Sequence, residues 1–380
     1  MTGPMFQVQG WCPGALRPMM SGDGLVVRVR PLAGRLTQAQ TAGVAAAARA
    51  YGNGLIDLSA RGNVQLRGVT EVTHPALIAD LRTLGLLDAD AAEEARRNIL
   101  VTPFADAATD VLAAKLGAAL PQMPPLPGKF GFVVDTGPAP VFAGIAGDIR
   151  LERAADGGLL IRCDGSALGA PVTTDSAAAA AVALAGWFVR AGGVTKGRGR
   201  MAALIAQGVA PTGALAGSVA PAPAAPAAPP GLVAEGALIG FAFGQMTADT
   251  LAALAPLGPL RVTPWRMVLI EALGTLPDLP GLILRADDPL RRVEACSGAP
   301  ACLQALAPVR DLATRLAPDV PMGKRLHVSG CAKGCAHPGR ADLTLVATGQ
   351  GFDLIRGGHA FDPPYARALS PEVIDLKGRF

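Results

Sequence analysis

The feature that most constrains this chain is that it carries the same order of blocks twice, on either side of a stretch rich in proline and alanine. Residues 211–231 read PTGALAGSVAPAPAAPAAPPG, with no periodic apolar pattern from which a core element could be built. Before this linker, LVVRVRPLAGRLTQAQ leads through a helical stretch to LIDLSARGNVQLRGV. After it, ALIGFAFGQMTADT leads through another helical stretch to LRVTPWRMVLIEAL. Each reads as strand, turn, threonine at a helix start, helix, strand, short turn and strand. Further on, Arg96-Arg97 opens RRNILVTPFAD, and 195 positions later Arg291-Arg292 opens RRVEACSGAPAC. Gly128-Lys129 and Gly323-Lys324 keep that spacing, DIRL from Asp148 pairs with DLTL from Asp342, and GGLLIRCDG pairs with GFDLIRGG. Four blocks in one order indicate an internal duplication.

Strands and helices in this order predict an α+β architecture. Each copy supplies a ferredoxin-like half (βαβ-type) followed by an α/β domain. Two copies related by a pseudo-twofold would enclose a central cleft for one large ligand. The expected boundaries are 1–75 for the first ferredoxin-like half, 76–210 for the first α/β domain, 211–231 for the linker, 232–285 for the second half and 286–380 for the second α/β domain.

The 380 residues are half hydrophobic and 17% charged, which is a globular composition. The net charge of +4 is scattered along the chain, so no nucleic-acid arm is expected, while a basic pocket for an acidic small molecule remains open. The opening residues 1–14 have neither a basic start nor a long apolar run. Residues 177–189, the most membrane-like stretch, are too short to span a bilayer and predict a buried helix. The expectation is a cytoplasmic protein without a membrane partner, in a compartment where cysteines stay reduced and clusters of them suggest metal.

Four of the six cysteines fall in two pairs, Cys296 with Cys302 and Cys331 with Cys335. Thiolates suit the iron of a cluster, and a cubane needs four converging ligands. Gly330 and Gly334 flank the second pair in VSGCAKGCAHPGR and allow tight backbone turns. Structural zinc favours closer pairs than Cys-x5-Cys; it and four metal-free buried thiols are the competing readings. In approximate register the first copy has Val101, Ala107, Thr136 and Pro140 at these places, so the fold itself does not require cysteine there. Cys163, in LLIRCDG, reads as a core residue, and Cys12 has no partner by spacing.

Cys-x5-Cys followed by Cys-x3-Cys, after two ferredoxin-like halves, resembles the sulfite/nitrite reductase family, which couples a 4Fe-4S cluster to siroheme. LIDLSARGNVQLRGV is similar to that family's Thr-x-Arg-x-x-x-Gln segment, with Ser59, Arg61 and Gln65 at the three places. RRNILVTP resembles its Arg-Asn-Val block and places Arg97 and Asn98, while LPGKFGF resembles its Leu-Pro-x-Lys-Phe-Lys block and places Lys129. Two departures stand out: Gly131 replaces a second lysine, and Ala-Lys-Gly separates the last cysteines where reductases have Pro-Asn-Gly. With the opening GWCPGALRPMMSGDGLVVRVRP, they are similar to a monooxygenase branch of the family that acts in aerobic cobalamin biosynthesis.

That resemblance implies that the tetrapyrrole in the cleft is a substrate, precorrin-3A, hydroxylated at C20 with γ-lactone formation. It further implies O2, NADH-derived electrons passed through a donor protein or other reductant, and a mononuclear non-haem iron beside the cluster. The iron's ligands are not legible; His327, His337 and His359 are the histidines nearest the cluster in sequence. The substrate's acetates and propionates call for arginine and lysine. Arg61, Arg97 and Lys129 are the residues the motifs nominate, with Arg17 and Arg28 as further candidates and Lys196, Arg198 and Arg200 as outsiders. The alternative within the family is a siroheme-dependent sulfite or nitrite reductase.

Overall fold

The computed structural model describes residues 13–137 and 139–380. The expected strand–helix–strand units form, and the two ferredoxin-like halves exchange a strand. In the first half the order is Met19–Ser21, Gly24–Val29, Val64–Val69, Leu55–Leu58, and then Gln245–Thr247 from the second half. In the second it is Gly231–Val233, Gly236–Phe241, Met267–Glu271, Leu260–Val262, and then Arg35–Leu36 from the first half. Each exchanged strand leaves the same bend: Ala33 and Gly34 at φ +52° and +69°, and Phe243 and Gly244 at φ +56° and +70°. Each then enters a helix capped by threonine. The Thr37 hydroxyl accepts the Gln40 N–H at 3.2 Å before helix Gln38–Tyr51, and the Thr247 hydroxyl accepts the Thr250 N–H at 3.1 Å before helix Ala248–Leu254.

The exchange gives both halves one core. Val27, Ile56, Leu66 and Leu81 pack in one cluster with Ile239, Leu251, Leu260 and Ile270. Each such side chain contributes roughly 1.5–3 kcal/mol by leaving water. Leu77, Leu81 and Leu86 lie in this core too, so the chain keeps packing with the first half beyond residue 75.

Register proves informative about the polar residues between the halves. Ile56 pairs with Leu66 and Leu260 with Ile270, so Asp57 and Arg67 occupy the places of Arg261 and Glu271. Both pairs form salt bridges, Arg67–Asp57 at 3.0 Å and Arg261–Glu271 at 2.6 Å, with the charges inverted between copies. Each network crosses to the other copy. Arg261 reaches Asp110, in the first turn of helix Ala107–Ala119, at 2.7 Å, and Asp57 stands 3.6 Å from Arg310, which opens helix Arg310–Leu316.

The two α/β units share a topology as well. Ile99–Val101, Phe132–Asp135 and Ile149–Arg153 run parallel, followed by antiparallel Leu159–Cys163 and Ala170–Val172. Val293–Ala295, Leu326–Ser329 and Ala341–Thr348 run parallel, followed by antiparallel Gly351–Gly358 and Ala366–Leu369. Asp148 accepts the Gly131 N–H at 2.9 Å, and Asp342 accepts the Arg325 N–H at 2.9 Å, so the paired aspartates of the sequence make the same bond twice.

Two expectations about intervening segments are answered here. Residues 177–189 lie in helix Ala177–Arg190, which buries Ala181, Leu184, Ala185 and Phe188 in the first α/β core. Residues 211–231 are mostly irregular but docked: the N–H groups of Ser218 and Val219 bond to the Gly169 carbonyl, and that of Ala222 bonds to the Arg153 carbonyl. Backbone needs no side-chain pattern to pair with a sheet edge, so composition reports the irregularity and not the docking. Among the described residues no helix is long and apolar enough to cross a membrane.

Candidate functional site

The two cysteine pairs leave the carboxyl ends of neighbouring parallel strands. Cys296 directly follows Val293–Ala295, Cys331 stands two residues beyond Leu326–Ser329, and these strands pair from Val293 with Leu326 to Ala295 with Val328. At such ends the chain turns into the loops that gather ligands. Glycines let the loops close on each other. Gly298 and Gly334 take φ +68° and +64°, and the Gly330 N–H donates to Cys296 Sγ at 3.2 Å. A Cβ on Gly330 would stand 2.7 Å from the Ala305 Cβ and 3.4 Å from the Cys296 sulfur, so the close approach requires glycine.

Burial holds the Cys331 and Cys335 thiols above the ordinary thiol range. The charges of Cys296 and Cys302 push both the same way, while Lys333 pulls them down. Cys331 and Cys335 thus each lie within electrostatic reach of Cys296 and Cys302, and cations among them would relieve the repulsion between thiolates. Among the described residues no three His, Cys, Asp or Glu side chains converge closely enough to hold a single ion. Four thiols are the donor set of an iron–sulfur cubane, and the Cys-x5-Cys pair is wider than the Cys-x2-4-Cys usual for zinc.

The other cysteines are accounted for differently. Cys163 is buried with Ile161, Leu184 and Phe188, and burial pushes its thiol up to about 12, which keeps it a protonated core residue. Cys12 lies outside the described residues. The histidines nearest the cysteines in sequence are held differently from one another. His337 Nε2 pairs with the Arg340 carbonyl at 3.1 Å, and His359 Nδ1 with Asp362 at 3.3 Å. His327 is fully buried, and neither of its ring nitrogens is hydrogen-bonded among the described residues. Burial, then His337 and Arg266, lower its pKa to about 4, so it is neutral at pH 7.

The basic residues nominated by sequence separate into free and occupied groups. Arg61 lies half-buried in the turn between Leu55–Leu58 and Val64–Val69, a turn closed by Ser59 Oγ accepting the Asn63 N–H at 3.2 Å. Its neighbour Gly62 abuts Leu100 of the first α/β unit, where a Cβ would fall 2.8 Å from Leu100 Cδ1. Arg61 therefore stands at the junction of half and α/β unit, and its guanidinium makes no hydrogen bond or ion pair among the described residues. Lys129 is exposed and likewise unpaired among them. Arg97 is instead held by Asp88, with Nη2 2.9 Å from Oδ2 and both side chains largely buried. Arg28 donates to Gln65 Oε1 at 2.6 Å, and Arg200 is bound to Asp148 at 2.9 Å. Lys196 and Arg198 form an exposed turn, and Arg17 is exposed. Gly131 sits against Asn98: a Cβ there would lie 2.7 Å from Asn98 Nδ2, the end of a side chain that can move aside.

Two cavities open away from the four paired cysteines. One of about 350 Å³ lies beside Cys163, lined by Ile161, Leu168, Leu184 and Ile205. The other, about 370 Å³, lies between the first α/β unit and the second half, lined by Asp106, Asp110, Glu235, Arg261 and Glu271.

Comparison with known proteins places this arrangement. Residues 17–84 match the family described as the nitrite/sulfite reductase ferredoxin-like half domain. The chain is 31% identical over 414 aligned positions to a protein named precorrin-3B synthase from Sinorhizobium sp., covering 94% of this chain and 85% of that one. This chain belongs to the precorrin-3B synthase family. It is accordingly an enzyme, an oxidoreductase. The NirA protein of Mycobacterium tuberculosis has a solved structure with a TM-score of 0.65, covering 88% of this chain and 74% of that one at 19% identity, a likeness of fold.

Proposed function

We propose that this chain converts precorrin-3A to precorrin-3B in aerobic cobalamin biosynthesis, as an O2-dependent monooxygenase that hydroxylates C20 and forms a γ-lactone. The observation that carries this reading is the 31% identity with a precorrin-3B synthase across nearly the whole chain. Cys296, Cys302, Cys331 and Cys335 would hold a 4Fe-4S cluster, which when bound supplies electrons one at a time. The chain's own part is binding and placement. Arg61 and Lys129, without partners among the described residues, offer cations for the substrate's carboxylates, and Arg97 would join them only by exchanging Asp88 for a substrate acetate. Asn98, beside Gly131, leaves that place a neutral amide in a family that elsewhere sets a lysine there. Electrons would come from NADH through a donor protein or another reductant.

The test is turnover of precorrin-3A by anaerobically purified, cluster-loaded protein given O2 and a reductant. The reading expects a product heavier by one oxygen atom and no reduction of sulfite. Brisk sulfite reduction with stoichiometric siroheme would replace it with a reductase.

A further inference from the structure

Cys296 and Cys302 belong to the second copy, yet the loop between them is held by the first. The Ala301 carbonyl accepts three hydrogen bonds from the first half: Ser21 Oγ at 2.6 Å, Gly22 N–H at 3.2 Å and Arg67 Nη2 at 2.9 Å. The approach is so close that a Cβ on Gly22 would lie 1.9 Å from the Pro300 carbonyl oxygen. Arg67 is itself fixed by Asp23 at 2.6 Å and Asp57 at 3.0 Å. Asp57 continues to Arg310, whose Nε donates to the Cys296 carbonyl at 3.1 Å. One polar network thus holds the backbone at Cys296 and at Ala301, next to Cys302.

The duplicated copy is an internal control. In its half the corresponding turn reads Val233-Ala234-Glu235-Gly236, and Glu271 stands in the place of Arg67. The hydroxyl, the bare Cα and the guanidinium are all replaced. Reach differs too. Strand Gly236–Phe241 begins opposite Glu271, whereas Gly24–Val29 passes a bulge and pairs Leu25 with Val69, two residues beyond Arg67. The loop that would meet the second turn carries no cysteine, and a 370 Å³ cavity lined by Asp106, Glu235 and Glu271 lies at the place corresponding, in the other copy, to the contact with Ala301.

We propose that Ser21, Gly22 and Arg67 are positioning residues of the cluster, so that the cysteine-free half is a working part of the site. This rests on reading Cys296 and Cys302 as ligands. The clamp fixes the loop before metal arrives and slows its opening afterwards.

Full-length reconstituted protein tests this by three readouts: iron release to ferrozine, amide exchange across residues 296–306, and melting temperature. Ser21→Val and Gly22→Ala install the second half's residues at uncharged positions, and Ser21→Thr keeps the hydroxyl. Ser21→Val should release iron about fivefold faster, the factor expected for one lost hydrogen bond, and Gly22→Ala about tenfold or more. Ser21→Thr should stay near wild type. Exchange across 296–306 should quicken in the first two variants while the amides of Val64–Val69 and Met267–Glu271 stay protected. Wild-type release and exchange in Gly22→Ala would overturn the proposal, as would acceleration spread evenly over the chain. Wild-type protein that binds no iron would sink the ligand reading instead, and the exchange measurement, which needs no metal, would still decide the clamp.

Discussion

Replacing Asp135 by asparagine should make the protein less sensitive to rising pH. Asp135 ends strand Phe132–Asp135 where the second copy has Ser329, and it is fully buried. One carboxylate oxygen accepts the N–H groups of Val141 at 2.8 Å and Phe142 at 2.7 Å, which ties down the loop at the place of the second copy's cysteines. The other oxygen has no hydrogen-bond partner among the described residues. Burial raises its pKa from 3.8 to about 6; Glu152 adds to this, while the two backbone bonds and Arg150 oppose it incompletely. Below about pH 4 the group is protonated in both folded and unfolded chains and contributes nothing to pH dependence. Between 3.8 and about 6 the unfolded chain releases the proton first, so stability falls as pH rises and levels off above the folded value. The gap corresponds to about 3 kcal/mol. Asp135→Asn keeps an oxygen for the two N–H groups and cannot ionise. It leaves an unpaired amide that costs about 1–3 kcal/mol, equally at every pH. Urea unfolding of both proteins near pH 3 and near pH 8 should therefore show the variant gaining about 3 kcal/mol relative to wild type between the two. An unchanged difference between the proteins at the two pH values would refute the argument.

Serine at Cys296, Cys302, Cys331 or Cys335 should abolish iron and sulfide retention, and Cys163→Ser should keep both; absorbance and iron analysis decide, and a requirement for Cys163 would overturn the ligand set. Arg61→Ala and Lys129→Ala should each weaken precorrin-3A binding by roughly 10- to 150-fold, the range of a charge-assisted contact of about 1.5–3 kcal/mol, without lowering the melting temperature. Arg97→Ala should behave differently, costing about 3–5 kcal/mol of stability because Asp88 is left buried and unpaired. A double variant with Asp88→Asn should recover part of that loss in urea titration, and no recovery would mean that Arg97 does not act through Asp88.

The duplication was legible because it is written in linear order: repeated threonine caps, paired aspartates and arginine pairs survive without any knowledge of contacts. The strand exchange was not, since Arg35–Leu36 is only two residues long and no periodicity marks so short a strand. The cysteine pairs were legible through their spacing and their absence from the first copy. Arg97 reads as a substrate ligand in its motif, but nothing in that motif reveals Asp88, which the fold brings back from the preceding turn. The clamp on Ala301 was missed for a related reason. Its acceptor is a backbone carbonyl, which every residue possesses, and only comparison of Ser21, Gly22 and Arg67 with Val233, Ala234 and Glu271 gives a signal.

The most direct test of the account is the origin of the oxygen that enters the tetrapyrrole. Cluster-loaded protein given precorrin-3A, a reductant and ¹⁸O2 should yield a product carrying one ¹⁸O atom by mass spectrometry, and H2¹⁸O with ordinary O2 should leave that atom unlabelled. A product oxygen derived from water would contradict the monooxygenase reading at its centre.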